Sequence, residues 1–293
     1  MTGYSRRDFI KTGIAAGALA GAGTLPLLAE RRTATDMVTL GNSGLKVTRL
    51  AFGTGSNNGH VQYALGQKEF TRLIRYAYDR GIRFFETAEA YVTPAMLGEA
   101  LKGLPRDSYQ IMTKVETNRP GDPLQRFDQM RKTSQTEYFD IMLLHYQHTP
   151  TWVADTRRWQ DSINEAQEKK IILKRGASVH GLPALRQVPG NPWLQVAMIR
   201  MNHNGTRMDG PVPDTDEPGN VPEVVQHVKQ VKQQGMGVIS MKLVGDGMFT
   251  RHEDRLAAMK FAFRNAGIDC ATVGFKSTQE VDEAIDNMNA ALA

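Results

Sequence analysis

The strongest constraint on the fold is a regular alternation of two kinds of segment after residue 36. Short runs rich in β-branched and aromatic residues are followed by runs such as EFTRLIRYAYDRG and PEVVQHVKQVKQQG, whose apolar residues recur every three or four positions. After VTRLAFG, the predicted strands are IRFFETA, YQIMTKV, FDIMLLHY, ILKRGASVH, LQVAMIRMN, GVISMKLV and CATVGF. Strands that alternate with helices pair in parallel, and eight such units in about 250 residues predict an α/β fold, the (β/α)8 TIM barrel.

The segment before the first barrel strand predicts a β-hairpin. MVTL and LKVTRL flank GNSG, whose Asn and Gly suit a tight turn. No linker separates two cores, so we expect one barrel domain over residues 37–293. A doubly wound open sheet is the alternative, and it usually carries a glycine fingerprint that leads directly into a helix. Here FGTGSNNG follows the first strand without a predicted helix directly after it, and we interpret it as a flexible loop.

The least structured stretch of the barrel sequence is NHNGTRMDGPVPDTDEPGN, from Asn202 to Asn220. It follows the sixth predicted strand, on the side where barrel loops build sites. It is rich in Gly, Pro and Asp, which predicts either a lid on the substrate side or a plain surface insertion.

Composition excludes several classes of function. Apolar residues make up 41% of the chain and charged residues 23%, with a formal net charge of only +5. No basic stripe or RNA-binding aromatic motif accompanies that charge, which argues against a nucleic-acid partner. The single cysteine, Cys270, cannot form an internal disulfide, and its apolar surroundings predict a buried, inert thiol.

The first 30 residues predict an export signal. SRRDFIKTG, with paired arginines, precedes the weakly apolar run IAAGALAGAGTLPLLA. This pattern resembles a twin-arginine signal, although a surface arginine pair before a loose helix is the alternative. The run is too short and glycine-rich for a stable membrane span. We expect residues 1–30 to engage the twin-arginine export machinery and to direct a folded, cofactor-loaded protein to the periplasm, with cleavage near Ala29 or retention of the leader.

Polar side chains follow most of the predicted barrel strands. They are Glu86, Tyr91, Lys114, Glu116, His145, His148, Ser178, His180, Asn202 and His203. The C-terminal ends of barrel strands line the mouth where chemistry occurs, so polar strand ends follow from the fold alone. A carboxylate, a tyrosine, a lysine and a histidine on successive strands form a more specific combination.

At these residues the sequence resembles the aldo-keto reductase superfamily. The resemblance runs from GNSGLKVTRLAFGTG through FFETAEAYVTPAMLGEALKG, IMTKV, EYFDIMLLHY and RGASVH to VGFKSTQEVDEAI. It covers essentially all of the chain after the leader. The Met-Lys pair after the seventh strand looks like a branch of the superfamily that is often called predicted oxidoreductases.

The resemblance implies a catalytic tetrad of Glu86, Tyr91, Lys114 and His145. Reducing a carbonyl requires a proton on oxygen, and a phenol with an ordinary pKa of about 10 is a weak acid at neutral pH. We expect the Lys114 ammonium to lower the pKa of Tyr91 so that it acts as general acid and base. Glu86, which replaces the family's usual aspartate, would hold Lys114, and His145 would orient the substrate oxygen. Glu89 is expected to be a solvated loop residue.

The resemblance also implies a nicotinamide cofactor, NAD or NADP. The matching cofactor-binding positions are Ser178, Met241, Lys242, Gly274, Lys276, Ser277, Thr278 and Glu280. Val179 and Met198 stand where the family usually holds the nicotinamide amide with Asn and Gln, and Ser240 or Met241 replaces the usual stacking aromatic. Glu280 occupies the position that often carries an arginine for the 2′-phosphate, which slightly favours NAD, although Lys276 could compensate.

Two other interpretations stay open on the sequence. The strand-end histidines, with Glu86 or Glu116, could form a metal site of a barrel isomerase or lyase. Alternatively, the barrel could bind the cofactor and a partner without turnover. For the oxidoreductase, the periplasmic location suggests a small-molecule substrate such as a sugar or a small aldehyde or ketone. The loops that select the substrate vary freely on this fold, so the sequence does not name it.

Overall fold

The computed structural model describes residues 32–213 and 217–293. Its strands are β1 (Met37–Thr39), β2 (Lys46–Thr48), β3 (Leu50–Gly53), β4 (Phe84–Glu86), β5 (Gln110–Val115), β6 (Phe139–Gln147), β7 (Ile172–Val179), β8 (Val196–Arg200), β9 (Gly237–Met241) and β10 (Cys270–Gly274). Its helices are α1 (His60–Tyr63), α2 (Gly66–Asp79), α3 (Pro94–Leu101), α4 (Pro123–Thr133), α5 (Trp152–Asp155), α6 (Arg157–Glu168), α7 (Leu182–Leu185), α8 (Val221–Gln233), α9 (His252–Lys260) and α10 (Thr278–Leu292).

Strands β3 to β10 form a closed parallel barrel in the order β10-β3-β4-β5-β6-β7-β8-β9. The predicted (β/α)8 barrel is therefore confirmed. The N-terminal hairpin is also present, since β1 and β2 pair antiparallel from Met37 opposite Thr48 to Thr39 opposite Lys46. The sequence run VTRLAFG is divided at Arg49, because β2 belongs to the hairpin and β3 to the barrel.

The core has two layers, as expected for a barrel whose helices cover the strands. The inner layer fills the barrel with apolar side chains, including Phe84, Met112, Ile141, Leu143, Val196 and Ile239. The hairpin contributes Leu40 to this inner layer. A Cβ on Gly237, the first residue of β9, would lie 2.8 Å from the Leu40 Cβ. The hairpin therefore closes the end of the barrel where the strands begin.

Helix α2 shows how a helix buries one face, and three other helices are capped by polar side chains. Helix α2 buries Phe70, Leu73, Ile74 and Ala77, whose spacing places them on one side of the helix. Helices α4, α8 and α10 begin after Asp122, Asn220 and Ser277, whose side-chain oxygens accept a backbone N–H from the first turn.

The expectation for the loop after β3 was wrong. A short helix, α1, starts directly after Gly59, which adopts a φ of 91°. The loop is also held in place, because the buried Gln62 amide donates to Ser56 Oγ at 3.0 Å and to the Phe275 carbonyl at 3.3 Å. The sequence HVQYALG has no apolar periodicity that would reveal so short a helix.

The segment after β8 is compact over its described residues. Asn202 Oδ1 accepts the Gly205 N–H at 2.9 Å, and the Asn202 amide donates to the Thr206 carbonyl at 2.6 Å. Asp209 is fully buried, and its Oδ1 accepts from Arg200 Nε and from the Gly181 N–H, each at 2.7 Å. These bonds attach the segment to the ends of β7 and β8.

Two further predictions concern residues away from the barrel mouth. Cys270 is buried, its thiol donates to the Thr48 carbonyl at 3.3 Å, and burial raises its pKa well above the ordinary value. Within residues 32–213 and 217–293, no helix has the length and apolar character needed to cross a membrane. The predicted leader, residues 1–30, lies outside the described residues.

Candidate active site

A buried lysine lies at the centre of the polar strand ends. Lys114 Nζ donates to the Glu86 carboxylate, to the Thr87 carbonyl at 3.0 Å and to the Tyr91 hydroxyl at 3.1 Å. The Lys114 side chain is 1% exposed and that of Glu86 is 4% exposed. Strand β4 ends at Glu86, and its neighbour β5 brings Lys114 to the same end of the barrel. Parallel pairing thus places the three predicted residues together.

Two glycines on the neighbouring strand β3 and its loop make room for this cluster. A Cβ on Gly55 would lie 2.4 Å from the Tyr91 ring, closer than any side chain allows. A Cβ on Gly53 would lie 3.1 Å from Glu86 Oε2. The missing side chain at Gly53 leaves space for the Glu86 carboxylate.

The pKa of Tyr91 is raised, whereas a lowered pKa was expected. Burial raises the pKa of Tyr91 well above 10, and the Glu86 and Asp246 carboxylates raise it further. Burial also lowers the pKa of Lys114, although the Glu86 carboxylate partly restores it. The net direction of the Tyr91 pKa is therefore upward, opposite to the expected one, because burial and the neighbouring carboxylates both disfavour a phenolate. Tyr91 is a protonated phenol at neutral pH.

His145 completes the group on the third successive strand. It lies near the end of β6, and its ring meets that of Tyr91 edge to face with centroids 5.7 Å apart. Burial lowers the pKa of His145 well below the ordinary value, with smaller contributions from the charges of Lys114 and His180. The imidazole is therefore neutral at pH 7 and carries one N–H donor.

These residues line a cavity of about 850 Å³ at the barrel mouth. Glu86, Tyr91, Lys114 and His145 all lie in its wall. The rest of the wall combines apolar and polar surface, and its polar part consists of amide, hydroxyl, imidazole and charged groups from Asn57, Asn58, Glu116, Thr117, Asn118, Arg119, His148, Thr149, Asp155, His180, Arg207 and Asp246. The cavity is large enough for a ligand of drug size.

The predicted cofactor positions are divided between the cavity wall and its surroundings. Met241, Lys242 and Gly274, from the ends of β9 and β10, line the cavity. Lys242 adopts a φ of 55°, and its Nζ contacts Asp246 Oδ2 at 2.7 Å. The cavity wall does not include Ser178 or the four predicted positions from Lys276 to Glu280.

Ser178 has a defined local contact. Its hydroxyl oxygen accepts the N–H of Tyr146 at 3.0 Å, where Tyr146 adopts a φ of 55° and β6 is irregular. Met198, which stands at the expected position of the family's glutamine, lines the cavity, and Val179 is buried.

The start of α10 is occupied by its own capping residues. Ser277 Oγ accepts the Glu280 N–H at 3.3 Å, and Glu280 Oε2 accepts the Lys276 N–H at 2.9 Å. This reciprocal arrangement resembles a capping box. The Glu280 carboxylate therefore lies against the helix N-terminus, where an anion would otherwise be favoured.

The sequence alone did not predict two features of the site. Asp246, between two glycines after β9, lines the cavity and contacts Lys242; its place just beyond a strand end could have indicated it. Glu89 is not a solvated loop residue, because its carboxylate binds Arg126 and accepts the Glu116 N–H at 3.0 Å. That contact joins residues 27 positions apart, so local sequence gives no sign of it.

The strand-end histidines face different partners. His145 contacts the Tyr91 ring, and His203 packs on Phe249 with ring centroids 5.3 Å apart. His148 and His180 each contact the Tyr146 ring, at 5.0 Å and 4.5 Å between centroids. Across the part of the chain that the structure describes, no three His, Cys, Asp or Glu side chains are arranged to hold a metal ion.

The sequence of this chain is similar to those of known protein families and relatives. Residues 49–291 match the sequence model of the Aldo/keto reductase family, and residues 3–23 match that of the TAT (twin-arginine translocation) pathway signal sequence. A Glycine max protein described as an aldo-keto reductase is 34% identical over 54% of this chain and 52% of its own length, so the match spans about half of that relative. L-galactose dehydrogenase of Arabidopsis thaliana is 25% identical over 84% of this chain and 79% of its own.

Solved structures share the fold at lower identity. An aldo-keto reductase from Bacillus halodurans superposes with a TM-score of 0.69 at 16% identity, covering 88% of this chain and 95% of its own. One from Klebsiella pneumoniae, in complex with NADPH, gives 0.65 at 17% identity, covering 88% and 89%. The fold and the family match together define an oxidoreductase barrel. The chain belongs to the aldo/keto reductase family.

The depressed pKa of His145 predicts a pH-dependent stability. A histidine whose pKa is lower in the folded state contributes stability above its unfolded pKa of about 6.5, and that stability is lost as the pH falls towards the folded pKa. We expect the urea midpoint of the wild type to fall more between about pH 7.5 and pH 5.5 than that of His145→Gln. His60→Gln, at an exposed position, serves as the control and should behave as the wild type. Equal losses in all three proteins would contradict the assignment.

Proposed function

We propose that the protein reduces a carbonyl group with a nicotinamide cofactor, using Tyr91 as the proton donor. The observation that carries this proposal is the contact of one buried ammonium, Lys114, with both the Glu86 carboxylate and the Tyr91 hydroxyl in the wall of the cavity. The family match supports it, since aldo/keto reductases are oxidoreductases.

The proton transfer follows from the contacts of Tyr91. Because the pKa of Tyr91 is raised, the phenol keeps its proton at neutral pH, and a carbonyl oxygen that becomes an alkoxide during reduction is basic enough to take that proton. As the proton leaves, the Lys114 ammonium 3.1 Å from the hydroxyl stabilises the phenolate that forms. Glu86 keeps Lys114 charged and directed at Tyr91. This arrangement favours the reductive direction, in which the tyrosine starts as an acid.

His145 would position the oxygen that receives the proton. A neutral imidazole donates one hydrogen bond without competing with Tyr91 as an acid. Its ring lies edge to face with that of Tyr91, so both side chains can approach the same substrate atom. A developing oxyanion between the two donors is stabilised more than the ground-state carbonyl.

The cavity wall along β9 and β10 fits a nicotinamide dinucleotide. A Cβ on Gly274 would lie 2.1 Å from Ser56 Oγ, so only glycine leaves this part of the wall open. Lys242, Met241 and Gly274 would contact the cofactor, with the Lys242 ammonium suited to a phosphate. Ser178, Lys276, Ser277 and Thr278 are proposed to complete the site around this wall. When bound, the cofactor supplies the hydride.

We propose NAD as the slightly preferred cofactor. The Glu280 carboxylate caps α10 and would repel a 2′-phosphate that approached the helix N-terminus. Lys276 Nζ lies 4.0 Å from Glu280 Oε1, so the Glu280 carboxylate already partly offsets the positive charge of Lys276. The Klebsiella pneumoniae neighbour was solved in complex with NADPH, which makes the discrimination by Glu280 worth measuring.

The substrate is proposed to be a sugar or a small aldehyde or ketone. The polar wall around Glu116, Asn118 and Asp155 offers hydrogen-bonding groups to a hydroxylated molecule. A relative that matches most of the barrel is named L-galactose dehydrogenase, in keeping with a substrate of this kind.

The leader gives the proposed location. Residues 3–23 match the twin-arginine signal model, and we propose that residues 1–30 form the export signal for one barrel domain over residues 37–293. The twin-arginine route carries folded proteins, so the cofactor could be bound before export. The proposed destination is the periplasm.

The first test of the mechanism is Tyr91→Phe. Removing the hydroxyl should lower kcat about 10²- to 10⁴-fold, the usual contribution of a general acid, while the Kd for NADH stays unchanged. Steady-state reduction of 4-nitrobenzaldehyde, glyceraldehyde and methylglyoxal would supply kcat, and quenching of protein fluorescence would supply Kd. Tyr63→Phe, at an exposed tyrosine, is the control. Activity close to wild type in Tyr91→Phe would refute the mechanism.

The cofactor preference is tested by Glu280→Gln. Removing one carboxylate at the helix N-terminus should tighten NADP binding about two- to fivefold and leave NAD binding unchanged. Glu253→Gln, which removes an exposed charge from the start of α9, is the matched control. Fluorescence titration of both cofactors supplies the dissociation constants. A wild-type protein that binds NADP much more tightly than NAD would contradict the preference.

Export is tested by replacing both leader arginines, Arg6→Lys and Arg7→Lys. Because the twin-arginine pathway recognises this pair, the variant should accumulate in the cytoplasm of a bacterial host. Immunoblots of periplasmic and cytoplasmic fractions would measure its distribution, with the wild type alongside. Equal periplasmic amounts of both proteins would show that the pair is not an export signal.

A further inference from the structure

We propose that Glu89 is a positioning residue that fixes Tyr91 against Lys114. Its carboxylate accepts the Glu116 N–H at 3.0 Å and binds the Arg126 guanidinium, with Nε 2.9 Å from Oε1. The Glu89 side chain is 16% exposed and that of Arg126 is 13% exposed. An ion pair so shielded from water is screened far less than one on the surface. We call Glu89 and Arg126 the strand-end clamp.

The clamp holds the chain on both sides of Lys114. The backbone N–H of Glu89 donates to the Lys114 carbonyl at 2.9 Å. The side chain of Glu89 then accepts the N–H of Glu116, two residues further along. Glu89 therefore bonds to Lys114, within β5, and to Glu116, the first residue after β5. Its backbone cannot move along β5 without breaking one of these bonds.

The other half of the clamp is anchored in the helical layer. Arg126, on α4, lies 4.8 Å above the centre of the Trp159 ring and donates to the Arg119 carbonyl at 3.1 Å. The Trp159 indole N–H donates to the Thr117 carbonyl at 3.0 Å. The loop that follows β5 is thus held from two helices, and its residues Glu116 to Arg119 line the cavity.

The clamp acts on the proton donor through a very short stretch of chain. Only Ala90 separates Glu89 from Tyr91, and the Tyr91 N–H donates back to the Ala88 carbonyl at 3.1 Å. A shift of Glu89 therefore moves the Tyr91 backbone with it. The 3.1 Å contact between the Tyr91 hydroxyl and Lys114 depends on that position. A displacement of about 1 Å at a reacting group can cost ~10²-fold in rate.

This inference rests on the proposed function of Tyr91 and Lys114, and it is tested with three variants of the full-length protein. Glu89→Ala removes both side-chain contacts. Glu89→Gln keeps an oxygen that can accept the Glu116 N–H but loses the charge that binds Arg126. Glu69→Gln is the matched control, because Glu69 forms an exposed ion pair with Arg72 on α2.

Two readouts separate positioning from general damage to the fold. The first is kcat for 4-nitrobenzaldehyde per NADH-binding site, with the Kd for NADH measured on the same samples. The second is hydrogen exchange of a peptide containing residues 115–117, which reports the Glu116 N–H without any turnover. A purely structural role would change NADH binding together with kcat, whereas positioning changes kcat alone.

For Glu89→Ala we expect kcat to fall about tenfold to a hundredfold with the Kd for NADH within about twofold of wild type. Exchange at residues 115–117 should become faster. Glu89→Gln should lose less activity than Glu89→Ala, and Glu69→Gln should match the wild type.

Three results would overturn the proposal. They are a Glu89→Ala kcat within about twofold of wild type, a Kd for NADH that rises in step with the loss of kcat, and unchanged exchange at residues 115–117. Full activity of Tyr91→Phe would instead refute the proposed function. The exchange measurement would still decide whether the clamp holds the strand end.

Discussion

The site depends on one buried ion pair, Lys114 with Glu86. Removing a lysine and a carboxylate from water is costly, and breaking such a pair by deleting one partner typically costs about 3–5 kcal/mol. Here the cost is offset by the pairing itself and by the Thr87 carbonyl, which accepts a second hydrogen bond from Lys114. The pair lies at the ends of two adjacent strands, so barrel closure and site geometry reinforce each other. Gly53, which has no side chain, leaves room beside the Glu86 carboxylate.

Burial keeps the neighbours of the ion pair neutral, and the pair adds to this effect. Burial raises the pKa of Tyr91 and lowers that of His145, and Glu86 and Lys114 act in the same directions. Two neutral hydrogen-bond donors therefore flank one buried ion pair. Such a site offers little to a charged reaction centre in the ground state. Under the proposed function, it would stabilise a carbonyl oxygen that becomes negative during the reaction.

The sequence predicted the architecture well because each strand–helix unit shows its own periodicity. The order of Glu86, Tyr91, Lys114 and His145 on successive strands predicted their proximity for the same reason, since parallel strands end together. Four features could not be read in this way. The clamp of Glu89 and the contact of Asp246 with Lys242 depend on how loops fold over the barrel, and the pKa of Tyr91 depends on burial. The short helix α1 lacks any periodic pattern.

The N-terminal hairpin has a consequence for access to the active site. Leu40 seals the end where the strands begin, and apolar side chains fill the interior between it and Lys114. Within the described residues, the cavity at the barrel mouth gives access to the buried ammonium. Under the proposed function, cofactor and substrate would both use this opening. Under that proposal, the closed end would place the entry and exit of both ligands on one side of the barrel.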